Sequence, residues 1–217
     1  MERFFLFNDI NTFYDWDLVL TSKDITPPEP KTNYVELDGA SGTLDLSEAL
    51  TGEITYSDRT IKATFWTSEG SQRDREKRIQ VITRYLHGKK VKIIDPDDSD
   101  HYFYGRARIT ERFNNLAYAE ISIECDCDPW RYAIEEYVRT VSATQTVTNV
   151  VIHNDGVKTV SPIFDVKGNI NIIYNDQRYT LSAGAYKIPD VRLYQGVNVL
   201  GVTGNGSVTI SYRKAEL

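Results

Sequence analysis

Apolar and polar residues alternate with a period of two through several short stretches of this chain, and with a period near 3.6 through one. From Arg59 the alternation puts Ile61, Ala63 and Phe65 on one face and Lys62, Thr64 and Trp66 on the other, the pattern of a half-buried strand. Ala117, Ala119, Ile121, Ile123, Cys125 and Cys127 repeat that pattern, as do Ile170, Ile172, Tyr174 and Val208, Ile210, Tyr212. After Ser71 the period changes: Ile79, Ile82 and Leu86 recur at helical spacing, with Val81 and Tyr85 widening the stripe. Ser71 suits an N-cap and Gly88 a C′ residue, so the spacing predicts one amphipathic helix from Ser71 to His87.

Turn residues divide the remaining chain. Asp38-Gly39 and Gly42 predict a tight turn, since glycine takes positive φ without steric cost. Tyr34 to Leu37 leads into it, Thr43 to Leu46 alternates beyond it, and Ser47 to Gly52 forms a second break. Thr26-Pro27-Pro28-Glu29-Pro30 cannot join a sheet interior, because proline lacks the donor, and is expected as a stiff extended arm. Further strands are expected at Phe4 to Asn8, Leu18 to Ser22, Lys90 to Asp95, Tyr102 to Ile109 and Leu116 to Cys127, an antiparallel meander with the helix packed on it. Pro129 and Trp130 close that unit. Composition shifts to polar and β-branched at Arg139 to Thr148. Beyond it Asn154-Asp155-Gly156, Lys167-Gly168-Asn169, Asn175-Asp176 and Asn205-Gly206 punctuate strands with no helical period, the pattern of a small β-sandwich. The chain is therefore expected to be mainly β, with a first domain over 1–142 and a second over 143–217.

With 217 residues, 41% hydrophobic and 26% charged, the composition is that of an ordinary globular protein, and 14 Tyr suit β packing. The net charge of −6 is uneven: residues 1–142 hold 18 basic and 26 acidic side chains, residues 143–217 hold 7 and 5. An acidic first domain argues against tight nucleic-acid binding, which needs clustered Lys and Arg; it is compatible with nucleic acid passing by without sticking. No apolar run is long enough to span a membrane. MERFFLFNDI lacks the apolar core of a signal peptide, so synthesis and retention in a cytoplasm are expected.

Reactive chemistry finds no foothold. Cys125 and Cys127 point to one buried face of one strand, where a disulfide has poor geometry and a metal has too few ligands; both are expected as reduced core residues. Asp95, Asp97, Asp98 and Asp100 resemble a calcium loop only superficially: Asp100 stands where glycine is required and Arg106 where the bidentate Glu belongs, so a solvated hairpin turn is expected. His87, His101 and His153 lie in unrelated contexts, and Gly201, Gly204 and Gly206 form a hairpin of the β unit rather than a phosphate loop. Arg73, Arg75, Lys77 and Arg78 on the first helical turns are expected on a solvated or inter-subunit face. No catalytic, metal or cofactor residue is nominated. The second unit offers Tyr174, Tyr179, Tyr186, Tyr194 and Tyr212, from which sequence alone assembles no sugar site.

Taken in order, these segments resemble the distal tail protein family of long-tailed, non-contractile-tail bacteriophages. The resemblance rests on Leu37-Asp38-Gly39, Gly42 and Leu44-Asp45-Leu46, then Tyr56-Ser57-Asp58-Arg59 and its strand. It continues with the helix ending Leu86-His87-Gly88 and with Cys127-Asp128-Pro129-Trp130-Arg131-Tyr132. Asn154 and Gly156, Ser161-Pro162, Gly196-Val197-Asn198 and Val208 to Tyr212 extend it through the second unit. The resemblance implies a tail-tube-like β-sandwich or barrel with one α-helix, followed by a galectin-like β-sandwich. It further implies a hexameric ring that joins the tail tube to tail-tip or baseplate proteins and lets DNA pass through its channel, in a virion assembled in the host cytoplasm. Asp38, Gly39, Gly42, Asp45 and Arg59 are candidates for the ring interface, and Asp97, Asp98 and Asp100 for the channel lining. The alternative is a carbohydrate-binding adhesin acting through the second domain. Family members with that role carry long insertions or extra modules, and this compact sequence shows none.

Overall fold

The computed structural model describes residues 4–39 and 41–217. The chain divides into two compact units, one running to Arg131 and the other spanning Tyr132–Glu216. This division precedes the boundary expected after residue 142. Tyr137–Ala143 is a strand, paired residue by residue with Gly206 to Tyr212, and so belongs to the second unit. Most of its residues are exposed or half-buried, which is why its composition shifts to polar and β-branched there.

In the first unit the strands are β1 (Leu6–Phe7), β2 (Ile10–Asn11), β3 (Val19–Ile25), β4 (Pro30–Lys31), β5 (Tyr34–Glu36), β6 (Thr43–Asp45), β7 (Thr55–Tyr56) and β8 (Arg59–Thr67). The helix α1 (Gln72–Leu86) follows, then β9 (Lys90–Ile94), β10 (His101–Asn114) and β11 (Ala119–Cys127). The main sheet runs β2-β1-β9-β10-β11-β8-β3, antiparallel at every pairing. On β8 the expected face holds: Ile61, Ala63 and Phe65 are buried, and they meet Cys125, Ile123 and Ile121 of β11 across the ladder. Both cysteines are buried and unoxidised. Burial pushes the thiols up, Cys127 to about 12, so neither is a thiolate at neutral pH.

The helix begins and ends where its punctuation places it. Ser71 is the N-cap of a reciprocal capping box with Asp74, and Gly88 follows at φ 80°. Ile79, Ile82 and Leu86 join the same apolar cluster as Phe5, Phe65, Ile93 and Ile121. Tyr85 packs against that cluster, whereas Val81 points to solvent, so the buried stripe is narrower than expected. Phe4 to Asn8 is shorter as a strand than expected, because Asn8 turns at φ 55° into the small β1–β2 hairpin.

In the second unit the strands are β12 (Arg131–Ala133, at its start), β13 (Tyr137–Ala143), β14 (Thr148–Asn154), β15 (Ile163–Tyr174), β16 (Gln177–Leu181), β17 (Gly184–Lys187), β18 (Gly196–Tyr212) and β19 (Ala215–Glu216). The 17-residue β18 pairs with β14 along its first half, with β13 along its second, and with β15 through its middle. Buried residues from both halves, Leu200 and Val202 with Val208 and Ile210, share one core, so the long strands fold over on themselves to make the sandwich.

Lys167-Gly168-Asn169 and the glycines at 204 and 206 are therefore mid-strand and make no turn. Gly168 and Gly206 are direct partners, and a Cβ on Gly206 would lie 1.9 Å from the Lys167 carbonyl oxygen, at φ 138°. A glycine that permits close backbone approach carries the same sequence signal as one that makes a hairpin. Asn175-Asp176 is a true two-residue turn, with both residues at positive φ.

Candidate functional site

Strands β3 and β8 are neighbours in the main sheet, yet more than thirty residues separate them, and this excursion forms two small ladders of its own, β4–β7 and β5–β6. Its base is fastened by the Ser57 amide, which donates to the Glu29 carbonyl at 2.8 Å, and by Tyr56 edge-on to Trp130. In the β5–β6 hairpin Val35 pairs with Leu44 and Tyr34 with Asp45, and Gly39 and Gly42 turn the chain at φ 82° and 86°. The Ser47 amide and hydroxyl donate to Asp45 Oδ1 at 2.9 and 2.5 Å, and the Ser47 hydroxyl accepts from the Asn33 amide. Those hydrogen bonds hold the Asp45 carboxyl below the usual carboxylate range.

The excursion carries large apolar side chains to solvent. Tyr34, Leu37 and Leu44 are exposed, and Leu50 is 100% exposed. Single exposed leucines are ordinary, but these four large apolar side chains lie along one connected excursion. Asp38, Gly39, Gly42 and Asp45 all lie on this hairpin.

Arg59 does not. It is 5% exposed, with its guanidinium over the Phe103 ring at 5.2 Å from the centroid, and burial together with the charge of Arg131 pulls its pKa down. Of the interface candidates it alone lies on a strand of the main sheet, apart from the hairpin that carries Asp38, Gly39, Gly42 and Asp45, and it is largely withdrawn from solvent in the single chain.

The acidic loop is also more than a solvated turn. Asp95 is buried and accepts from Lys23 of β3, which also pairs with Asp97 at 2.6 Å. Pro96–Asp98 is a 3-10 turn, and Asp98 accepts from His101 Nδ1 at 2.7 Å and Arg131 Nη1 at 2.9 Å. Of the three candidate channel-lining acids, Asp98 is tied inward, while Asp97 and Asp100 are exposed.

The basic cluster of the helix divides in the same way. Arg75 is 2% exposed and donates to the carbonyls of Ser68, Gly70, Asn115 and Leu116. Arg78 pairs with Asp17 at 2.8 Å, and Arg73 and Lys77 remain on the surface. Arg75 is thus a fastener of two loops and no part of a solvated face.

In the second unit Tyr212 is buried against Tyr137, and its hydroxyl donates to the His153 carbonyl. Tyr174, Tyr179 and Tyr194 instead gather around one cleft, with Asn175, Gln177, Asp190 and Arg192. Three of the seven lining residues, Asp190, Arg192 and Tyr194, come from a segment remote in sequence from the β15–β16 turn, and no local pattern marks the grouping. Among the described residues no group of three or more His, Cys, Asp or Glu is placed to hold a metal ion, and no helix is long and apolar enough to cross a membrane.

No family model and no curated protein matches this chain. Among solved structures it is similar to the crystal structure of SPP1 Dit (gp 19.1), titled a paradigm of hub adsorption apparatus in Gram-positive infecting phages. The TM-score is 0.71 at 14% identity, covering 99% of each chain. At that identity the likeness establishes the fold alone: both units, in order, follow the fold of that solved structure.

Proposed function

We propose that this chain is a structural protein of a phage tail hub, without catalytic activity. The end-to-end fold match to a hub protein carries the reading, because it spans both units and leaves almost no part of either chain unmatched. Six copies form a ring, the second unit being its galectin-like appendage. The ring joins the tail tube to tail-tip or baseplate proteins and lets DNA pass through its channel. A closed ring requires two different complementary patches on each subunit. The excursion between β3 and β8, with Tyr34, Leu37, Leu44 and Leu50 exposed, supports one of them, and Asp38, Gly39, Gly42 and Asp45 lie on the same hairpin. The net negative charge of residues 1–142, with Asp97 and Asp100 exposed, suits a channel that repels phosphates and does not hold them. Native mass measurement and negative-stain imaging of the purified chain test the reading: a hexamer or double hexamer with a central hole is expected, and a stable monomer at micromolar concentration overturns it.

A further inference from the structure

We propose that a basic and aromatic patch on β9 and β10 is the docking surface for the acid-rich excursion of a second copy of this chain. The pairing rests on the ring reading and deepens it by naming the surface that the excursion meets. On β9, Val91 and Ile93 face the core, which turns Lys90 and Lys92 to the opposite side of the sheet. Lys90 is the register partner of Arg106 and Lys92 of Tyr104, so these four share that face with Tyr102. Lys92 Nζ stands 4.7 Å from the centroid of the Tyr102 ring and Lys90 Nζ 5.7 Å from that of Tyr104. The rings hold the two ammonium groups in place without neutralising them. Arg106 gives an N–H to the Gly88 carbonyl and keeps others to donate. Among the described residues no carboxylate pairs with these three cations: Glu124 and Asp126, on the adjoining strand, are both taken by Arg108.

The complement lies on the same unit. Residues 26–58 hold seven acidic side chains and one basic, and none of those acids forms an ion pair among the described residues. In the β5–β6 hairpin Tyr34 pairs with Asp45 and Glu36 with Thr43, so Tyr34, Glu36 and Asp45 share one face. Glu36 and Asp38 are exposed. The hairpin thus offers carboxylates beside an exposed aromatic ring, and the patch offers cations beside exposed aromatic rings, which is complementarity in both charge and apolar surface. In the sheet, β10 and β11 stand between β9 and the β8 edge from which the excursion springs. The two surfaces are therefore distinct, as head-to-tail closure requires. Nucleic-acid phosphates are a poorer occupant. Glu124 and Asp126 flank the patch and residues 1–142 are net negative, whereas a duplex calls for a continuous basic track.

The test is charge reversal in the full chain, read by native mass measurement at micromolar concentration. Lys90→Glu with Lys92→Glu sets acid against acid, and Glu36→Lys with Asp38→Lys sets base against base. Each double variant alone should lose association about a hundredfold or more and run as single chains. Mixed in equal amounts, the two should recover rings of strictly alternating copies, because each excursion then finds a patch of opposite sign only on the other variant. Circular dichroism checks that both fold. If the lysine reversal does not, Lys90→Gln with Lys92→Gln adds no charge and should weaken association about tenfold. Rings that persist in either reversed variant overturn the pairing, as does a mixture that stays dissociated. Loss of short-duplex DNA binding on lysine reversal, with rings intact, overturns it in favour of phosphate contact. Those results all leave a wild-type ring standing; a wild-type chain that is itself single removes the ring and the pairing together.

Discussion

Lys23 Nζ donates to both carboxylate oxygens of Asp95, at 2.7 and 2.5 Å, across 72 residues of sequence. Asp95 is buried and Lys23 partly exposed, so the lysine compensates a carboxylate that is itself largely withdrawn from water. Lys23→Met should destabilise the first unit by about 2–3 kcal/mol, at the low end for a buried pair because the lysine keeps some solvent. Asp95→Asn in the same background should restore part of the loss. Denaturant midpoints of the two single variants and the double variant check this as a mutant cycle.

Asp98 gives the first unit a pH dependence. Burial raises its carboxyl pKa, but the hydrogen bond and charge of His101, and then those of Arg131, outweigh it and leave the group lowered. A lowered folded-state pKa stabilises above the unfolded value, roughly 3.9, and the contribution fades as pH falls toward and through the folded value. Asp98→Asn should cost about 1–2 kcal/mol at neutral pH, with the difference from wild type shrinking below about pH 4. Thermal unfolding of both proteins from neutral to acid pH reads this; a pH-independent difference would count against it.

Arg75 fastens the start of the helix to two loops through four backbone carbonyls. Arg75→Lys keeps the charge but cannot reproduce a planar fork that reaches the 68–70 and 115–116 segments together. A loss of about 2–3 kcal/mol is expected for lysine, and more for alanine, since each buried carbonyl left unpaired adds its own desolvation cost. Chemical denaturation followed by Trp fluorescence measures it.

What the sequence discloses and what it withholds follow from the range of each signal. The faces of β8 and the limits of α1 are local: Ile61, Ala63 and Phe65 alternate within one strand, and Ser71 and Gly88 punctuate one helix. Arg59 and Arg75 look like surface cations because their partners, the Phe103 ring and the carbonyls of residues 115–116, are remote in sequence and carry no mark of the contact. The exposed hairpin at Asp38 to Asp45 was legible as a turn. The cleft lined by Tyr174, Tyr179 and Tyr194 was not, because its walls come from segments remote in sequence that meet through contacts such as the Tyr174–Arg192 hydrogen bond.

Gly206 marks the crossing of the two longest strands of the second unit. A methyl group there would meet the Lys167 carbonyl oxygen at 1.9 Å, and φ 138° is strained for any L side chain. Gly206→Ala should therefore destabilise the second unit by about 3 kcal/mol or more, combining overpacking with backbone strain. Hydrogen exchange should show protection lost across β15 and β18 while the sheet of the first unit keeps its own. Gly196→Ala, where a Cβ meets nothing within 4 Å but φ is 94°, should cost only the strain, about 1–2 kcal/mol.

The ring itself is tested at Leu44 and Leu50. Leu44 is 47% and Leu50 100% exposed in the single chain, so replacing them removes nothing from either core and should leave monomer stability within about 0.5 kcal/mol. If the excursion lies against a neighbouring copy, each leucine buried there contributes about 1.5–3 kcal/mol per contact, and an aspartate in its place adds an unpaired buried charge. Leu44→Asp with Leu50→Asp should then weaken association by about a hundredfold or more and shift the purified protein from ring to single chains at micromolar concentration. Its circular dichroism and thermal midpoint should match those of wild type. Native mass measurement decides the matter: rings that persist intact in the double variant would place the contact elsewhere on the first unit and remove the excursion from the interface.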